Sequence, residues 1–191
     1  MKKIALIFLA MVCAAFAGAQ TWKVDKNNTR IGFTATHLLI SEVHGAFSKF
    51  DMTLVSTAED FTDAQIELSV DMASVNTSVE MRDNNLRSAS YLDTDKFPKM
   101  TFKSESLAKV DGKRYKLKGQ LTLHGVTKAI TLDVVFNGTA VSPANQLTVA
   151  GFKIVGSIKR SEFKVGEGAA GVGEEIKIEA DAEFFKVPKG N

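Results

Sequence analysis

Polar and apolar residues alternate along most of the chain, and that alternation predicts strands. In RIGFTATH, Ile31, Phe33 and Ala35 share one face. In AQIELSVDM, Ile66, Leu68, Val70 and Met72 oppose Gln65, Glu67, Ser69 and Asp71. YKLKGQLTL sets Leu117, Gly119, Leu121 and Leu123 against Lys116, Lys118, Gln120 and Thr122. AITLDVVF groups Ile130, Leu132, Val134 and Phe136, and EEIKIEADAEFF groups Ile176, Ile178, Ala180, Ala182 and Phe184. Each strand therefore has one apolar and one wet face, the pattern of an antiparallel sheet. Asp111-Gly112 reads as a tight hairpin, HGVTK (124–128) as a short connection and NGTAVSPAN as a longer loop. The count is about eight or nine strands, which close into a barrel or stack into a sandwich.

An outer-membrane barrel also alternates, with apolar residues facing lipid and polar ones lining the lumen. Here the polar faces are crowded with Lys, Glu and Asp. The interior of an eight-stranded barrel barely holds ordinary side chains, and confining so many charges there is costly. The apolar faces are therefore expected to point inward. Several inward positions are small: Ala35, Ser104, Ser106, Ala108, Gly119, Gly156, Ala180 and Ala182. The pattern leaves open whether they enclose a hollow or whether Phe47, Phe102 and Phe152 fill the space.

The alternation stops at TSVEMRDNNLRSASYLDTDKFP (77–98). Thr77 followed by Glu80 has the form of a capping box, which predicts a helix over about 77–89. Val79, Arg82, Leu86 and Ala89 fall on one side of it. Tyr91-Leu92 and Phe97-Pro98 could seat the segment on a barrel end. Arg82, Asp83 and Arg87 either form surface ion pairs or place an arginine against a ligand head group, because the guanidinium fork suits phosphate or carboxylate.

Composition adds bounds. A basic start, an apolar run from Ile4 to Phe16 and an Ala17-x-Ala19 site predict a signal peptide over 1–19, leaving residues 20–191 as one domain. The run is too short for a transmembrane helix, which needs about 20 apolar residues, so no integral membrane segment is expected. A large residue, Val12, before Cys13 argues against a lipoprotein anchor. Without Lys2 and Lys3, Lys+Arg falls from 24 to 22 against 22 Asp+Glu. A chain of net charge near zero lacks the basic footprint of a nucleic-acid binder. The lone cysteine is in the leader, so no disulfide or thiol chemistry remains.

Chemical motifs are sparse. GEGAAG (166–171) matches a dinucleotide fingerprint in letters only, since a strand rather than a helix follows it; a loop between strands explains the glycines. His37 and His44 lack a third ligand at zinc spacing, and no Gly-x-Ser-x-Gly elbow is present. No metal, cofactor or catalytic residue is assigned. His37 is expected at the barrel rim.

THLLISEVHGAFSKF, VNTSVEMRDNNLRSASYLDTDKFPKMTFKS, KGQLTLHGVTKAITL and IKRSEF occur in this order. Together they resemble the YceI-like family of polyisoprenoid-binding periplasmic proteins over nearly the whole processed chain. Two positions depart from that pattern. Lys164 stands where the family's Arg-x-acidic-Phe-Gly stretch has glycine, and Gln120 where an acidic residue is usual.

The resemblance implies a lipocalin-like antiparallel barrel of about eight strands, capped at one end by the 77–89 helix. It implies a periplasmic carrier of a polyisoprenoid or similar long-chain amphiphile, such as a polyprenyl phosphate or isoprenoid quinone, and a capacity to form a homodimer. The expected tunnel wall comprises Phe33, Ala35, Phe47, Leu68, Val70 and Met72 from the first half of the chain. Leu86, Phe102, Leu121, Ile130, Leu132 and Phe152 complete it. His37, Arg82, Arg87 and Arg160 are the candidates for a head group. Two other readings stay open: an isomerase or hydrolase acting on an apolar substrate through His37 and Asp83, and a ligand-free interaction module with a solid barrel.

Overall fold

The computed structural model describes residues 19–188; residues 1–18, which carry most of the expected leader, lie outside them. Eleven strand segments form one antiparallel sheet: β1 (Gln20–Val24), β2 (Arg30–His37), β3 (Ser41–Phe47), β4 (Phe50–Ser56), β5 (Gln65–Asp71), β6 (Val75–Asn76), β7 (Lys99–Asp111), β8 (Arg114–Leu123), β9 (Val126–Val141), β10 (Thr148–Lys159) and β11 (Val172–Lys186). Among the described residues there is one α-helix, α1 (Glu80–Arg87), between β6 and β7.

The eleven segments occupy eight barrel positions. β11 pairs with β2 through Ala180 and Ile31, and with β1 through Phe184 and Val24. β3 pairs with β2 while β4 pairs with β1. Thus β1/β2, β3/β4 and β5/β6 are each one long strand interrupted once, and the β1–β11 pairing closes the barrel. Two of the interruptions carry a local turn held by an aspartate. After β1, Asp25 turns the chain by accepting from the Asn27 amide at 2.9 Å. After β5, Asp71 accepts from Ala73 N at 3.1 Å and starts a 3-10 turn.

Orientation follows the charge argument. The outer face carries cross-strand pairs, among them Lys103–Glu67 at 2.9 Å, Lys116–Asp133 at 2.6 Å and Lys177–Glu42 at 2.6 Å. The Lys177 ammonium, hydrogen-bonded to Glu42, holds that carboxyl below its usual range. The inner face is buried and apolar, with Leu54, Val70, Leu107, Leu117 and Leu121 in the core.

Two sequence expectations need correction here. The pairing register shifts between Ser104 and Ser106, a β-bulge that adds one residue to β7. Beyond it Leu107 points inward and Ala108 is exposed, so Ala108 is not an inward position. The helix is also shorter than 77–89. Its N-cap is Val79, which offers no side-chain cap, and Thr77 is engaged elsewhere.

The far end of the barrel from α1 is plugged. Phe61, in the β4–β5 loop, is buried and sits with its ring 5.2 Å from those of Trp22, Phe136 and Phe152. Aromatic rings at such spacings in edge-to-face arrangement attract beyond simple burial. The loop is fastened by Asp63, which accepts from the Ser56 and Thr57 hydroxyls and from the Thr57 and Ala58 amides.

Candidate functional site

Between this aromatic floor and α1 lies a cavity of about 750 Å³. That is within the usual range for small-ligand sites, roughly 300–1,000 Å³. Its wall is almost wholly apolar, and among the described residues Arg82 and Arg160 are the only charged ones in it. The phenylalanines therefore close one end and leave the barrel hollow.

Small inward residues are only part of the reason for this space. Gly119 has no spare volume: a Cβ there would fall 2.5 Å from the Phe102 ring. Gly45 likewise makes room for Phe33. These glycines let large rings lie flat against the wall, which keeps the rings out of the middle.

The structure places fourteen of the sixteen sequence-expected residues in the cavity wall. Phe33, Ala35 and His37 come from β2, Phe47 from β3 and Leu68 from β5. Met72 follows in the 3-10 turn after β5, and Phe102, Leu121 and Phe152 come from β7, β8 and β10. Ile130 and Leu132 are on β9, Arg82 and Leu86 on α1, and Arg160 opens the 3-10 turn after β10. Val70 and Arg87 are outside the wall. Val70 shares the parity of its neighbours but is fully buried, paired with Phe50 and Met100 across the sheet. Arg87 ties the helix end down, donating to Ala73 O at 2.9 Å, Asn84 Oδ1 at 2.7 Å and Val75 O at 3.4 Å.

Several wall residues were not singled out from sequence. Ile176 and Ile178 share the apolar parity of β11, so alternation marked them. Tyr91 and Leu92, read only as anchors, also line the cavity. Met81 was on no apolar stripe and carried no signal.

The opening can be located. The wall residues that are also exposed are His37, Val79, Met81, Asn85 and Ala170. They belong to three elements: the β2–β3 tip, α1 with its N-cap, and the β10–β11 loop. α1 is thus a partial roof beside a mouth. It is held by a short relay in which the Thr77 hydroxyl donates to the buried Asp83 carboxylate at 2.6 Å and the Thr77 amide donates to the same oxygen at 2.8 Å. Arg82 Nε donates to the Thr77 hydroxyl at 2.8 Å, and Arg82 Nη2 to the Thr77 carbonyl at 3.0 Å. Of the two readings left open for Arg82, Asp83 and Arg87, the surface ion pairs are not formed, because these side chains are spent on Thr77, Asn84 and backbone carbonyls.

The two wall arginines differ. Arg160 directs all its donors at backbone: Nε to Gly173 O at 3.1 Å, Nη1 to the carbonyls of Val165 and Gly166, and Nη2 to Ala169 O and Val172 O. It knits the glycine-rich loop into one rim of the mouth. Arg82 keeps Nη1 without a hydrogen bond among the described residues.

The histidines do not assemble. His37 is at the mouth, while His44 faces outward against Thr34 at 2.9 Å and Glu42 at 3.9 Å. His124 lies in the β8–β9 turn with its ring 4.5 Å from Phe97. Asp83 is outside the cavity wall and no hydrogen bond joins it to His37. Among the described residues no group of three or more His, Cys, Asp or Glu could hold a metal, and no helix is long and apolar enough to cross a membrane.

A closed eight-stranded barrel with an apolar cavity, a plugged floor and a partly roofed mouth is built as a container for a small apolar molecule. The chain belongs to the YceI-like family, whose domain model matches residues 22–184. A UPF0312 protein of Staphylococcus aureus (strain USA300) is 32% identical over 166 residues, covering 84% of this chain and 94% of that protein. The crystal structure of BcnA from Burkholderia cenocepacia superposes with a TM-score of 0.76 at 22% identity, over 84% of this chain and 98% of BcnA. A YCEI protein of Campylobacter jejuni superposes with a TM-score of 0.71 at 29% identity, over 78% and 88%. A polyisoprenoid-binding domain from Saccharophagus degradans, described as implicated in plant cell wall breakdown, gives a TM-score of 0.64 at 14% identity, over 87% and 98%.

Proposed function

We propose that this protein is a non-enzymatic lipid carrier of the periplasm. It takes up the apolar tail of a polyisoprenoid or similar long-chain amphiphile, such as a polyprenyl phosphate or isoprenoid quinone. The observation that carries this reading is the cavity of about 750 Å³ with an almost uniformly apolar wall. Burial removes roughly 0.8 kcal/mol per methylene from water, so a few isoprene units offset the cost of association. The family and the polyisoprenoid-binding structural relative support the same ligand class. The predicted leader supports export. A wall with two guanidinium groups and no carboxylate favours an anionic or electron-rich head group at the mouth. Arg82, with free donors, would meet it, and Arg160 would shape the rim.

Native mass spectrometry of freshly purified protein, followed by organic extraction, tests the reading. A prenyl chain in stoichiometric amount is the expected result. Protein recovered empty, which then takes up no apolar fluorophore, would overturn it in favour of an interaction module. Turnover of the extracted lipid would instead establish an enzyme.

A further inference from the structure

The mouth of the cavity is surrounded by exposed aliphatic side chains that the barrel does not need. At the β2–β3 tip Leu39 is 79% and Ile40 84% exposed, and Leu38 beside them is exposed as well. On the other flank, at the start of α1, Met81 is 83% exposed and Val79 is also open to solvent. Val79 and Met81 belong to the cavity wall as well as to the outer surface, so the apolar wall continues outward over the rim.

The tip is also held in a conformation its residues disfavour. The Ile40 amide donates to His37 O at 3.1 Å, closing a four-residue turn whose two central residues have positive φ, 52° at Leu38 and 60° at Leu39. Such turns select Asn, Asp and Gly, because a side chain of leucine's bulk crowds the backbone there. The Leu38 amide donating to Gly171 O fixes the tip against the β10–β11 loop. Local stability would favour Asn-Gly at this turn, yet two leucines are displayed. Strain at a surface site of this kind points to use.

We propose that this lip seats on the surface of a lipid bilayer, with Leu38, Leu39, Ile40 and Met81 inserted at the acyl boundary and the mouth facing the membrane. The inference rests on the carrier reading, since a cargo with a long apolar tail has almost no free concentration in water and must pass directly between bilayer and cavity. A second copy of the chain is the weaker occupant. Five such side chains present a few hundred Å², short of the roughly 800 Å² per partner that a stable interface buries. Attachment is driven by apolar insertion rather than by charge, because the processed chain has no excess of cations. The lip is too small for permanent anchoring and gives a reversible visit.

The test uses the naturally processed protein, its N-terminus checked by mass spectrometry, in flotation with phosphatidylcholine vesicles. It is compared with Leu39→Asn/Ile40→Asn and, separately, Met81→Gln. The wild type should float with the vesicles, at high salt as at low. The tip variant should lose about tenfold or more of its partitioning, as expected for two large apolar side chains, and Met81→Gln a smaller share. Uptake of an apolar fluorophore such as N-phenyl-1-naphthylamine, measured without vesicles, should be unchanged in the tip variant, whose two residues lie outside the cavity wall. The tip variant should also melt no lower than wild type, since asparagine suits the positive φ of Leu39. A lip with a merely structural role would not combine lost flotation with kept stability and kept uptake.

Wild-type protein that takes up fluorophore but stays off vesicles overturns the docking proposal and leaves the carrier reading intact. Variants that float like wild type overturn it too, as does binding confined to phosphatidylglycerol vesicles and abolished by salt. A concentration-dependent dimer in sedimentation that the tip substitutions dissolve would assign the lip to a second copy. Flotation lost in the variants of a protein that takes up no fluorophore would support the docking and sink the carrier reading instead.

Discussion

Thr77 and Asp83 are joined twice, through hydroxyl and amide, to one carboxylate oxygen at 2.6 and 2.8 Å. Both residues are buried, and the pair fixes the start of the roof helix to the strand that precedes it. Thr77→Val keeps the shape and removes the hydroxyl. It leaves Asp83 one donor fewer and Arg82 Nε without its acceptor. A buried charged group losing a partner costs about 1–3 kcal/mol. Thr77→Val should therefore lower the unfolding free energy by about 1–3 kcal/mol, read from the shift in denaturant midpoint at unchanged slope, with amide exchange in Glu80–Arg87 accelerated more than in the barrel. Uniform acceleration would show that the pair does not localise the roof.

Ala35 projects into the cavity from β2, next to Phe33. Ala35→Trp puts a ring into open space. In a solid core such overpacking costs about 1–3 kcal/mol; in this hollow it should cost less than about 1 kcal/mol. Apolar fluorophore uptake should fall at least tenfold while the thermal transition stays near the wild-type value. A large loss of stability would mean that the hollow is filled by the protein's own side chains in solution.

Phe61 closes the floor against Trp22, Phe136 and Phe152. Phe61→Ala should cost about 3–5 kcal/mol, the range for truncating a buried aromatic. If the floor sets the depth of the tunnel, the variant should shift its preference toward longer prenyl chains in a competition series. An unchanged preference together with the stability loss would place the length limit higher in the barrel.

The barrel was legible in sequence because each strand buries one face. Period-two alternation therefore survived along most of the strand length, and the charge on the other face fixed which side was in. What was not legible depends on partners remote in sequence. The break after Val24 lets β11 serve β1 and β2 in turn, and the break after Phe47 matches it, since β3 pairs with β2 and β4 with β1. The bulge at Ser104–Ser106 reverses parity without any glycine or proline to announce it. Thr77 reads as a helix cap, but Asp83, six residues on, recruits its hydroxyl. The arginines were ambiguous for a related reason: nothing in an arginine's sequence context tells whether its fork will meet a ligand or, as at Arg160, five carbonyls of its own chain.

Lys164 shows what one departure from the family pattern does. It follows the 3-10 turn Arg160–Phe163 at φ 58°, a left-handed position where the family resemblance puts glycine. A side chain there costs of order 1 kcal/mol, which glycine avoids. Lys164→Gly should raise stability by up to about 1 kcal/mol in equilibrium denaturation and leave fluorophore uptake unchanged. A stability loss would mean that the lysine side chain makes a compensating contact at the rim.

Asp63 makes the floor loop sensitive to acid. Burial alone would raise its carboxyl, but the hydroxyls of Ser56 and Thr57 and the amides of Thr57 and Ala58 outweigh that and hold it far below the ordinary carboxylate value of 3.8. The folded state therefore binds this proton less readily than the unfolded chain, and stability from this group rises with pH. The contribution is complete above the unfolded value, hence at neutral pH, and disappears as pH falls below about 3.8 toward the folded value. Asp63→Asn keeps the size and removes the charge. It should be destabilised at pH 7, and the gap to wild type should narrow as pH is lowered through 4 toward 2, because the unfolded wild-type chain takes up a proton there that the folded state resists. Denaturation curves of both proteins across that range give the comparison; a gap independent of pH would assign the effect to geometry and not to the carboxylate charge.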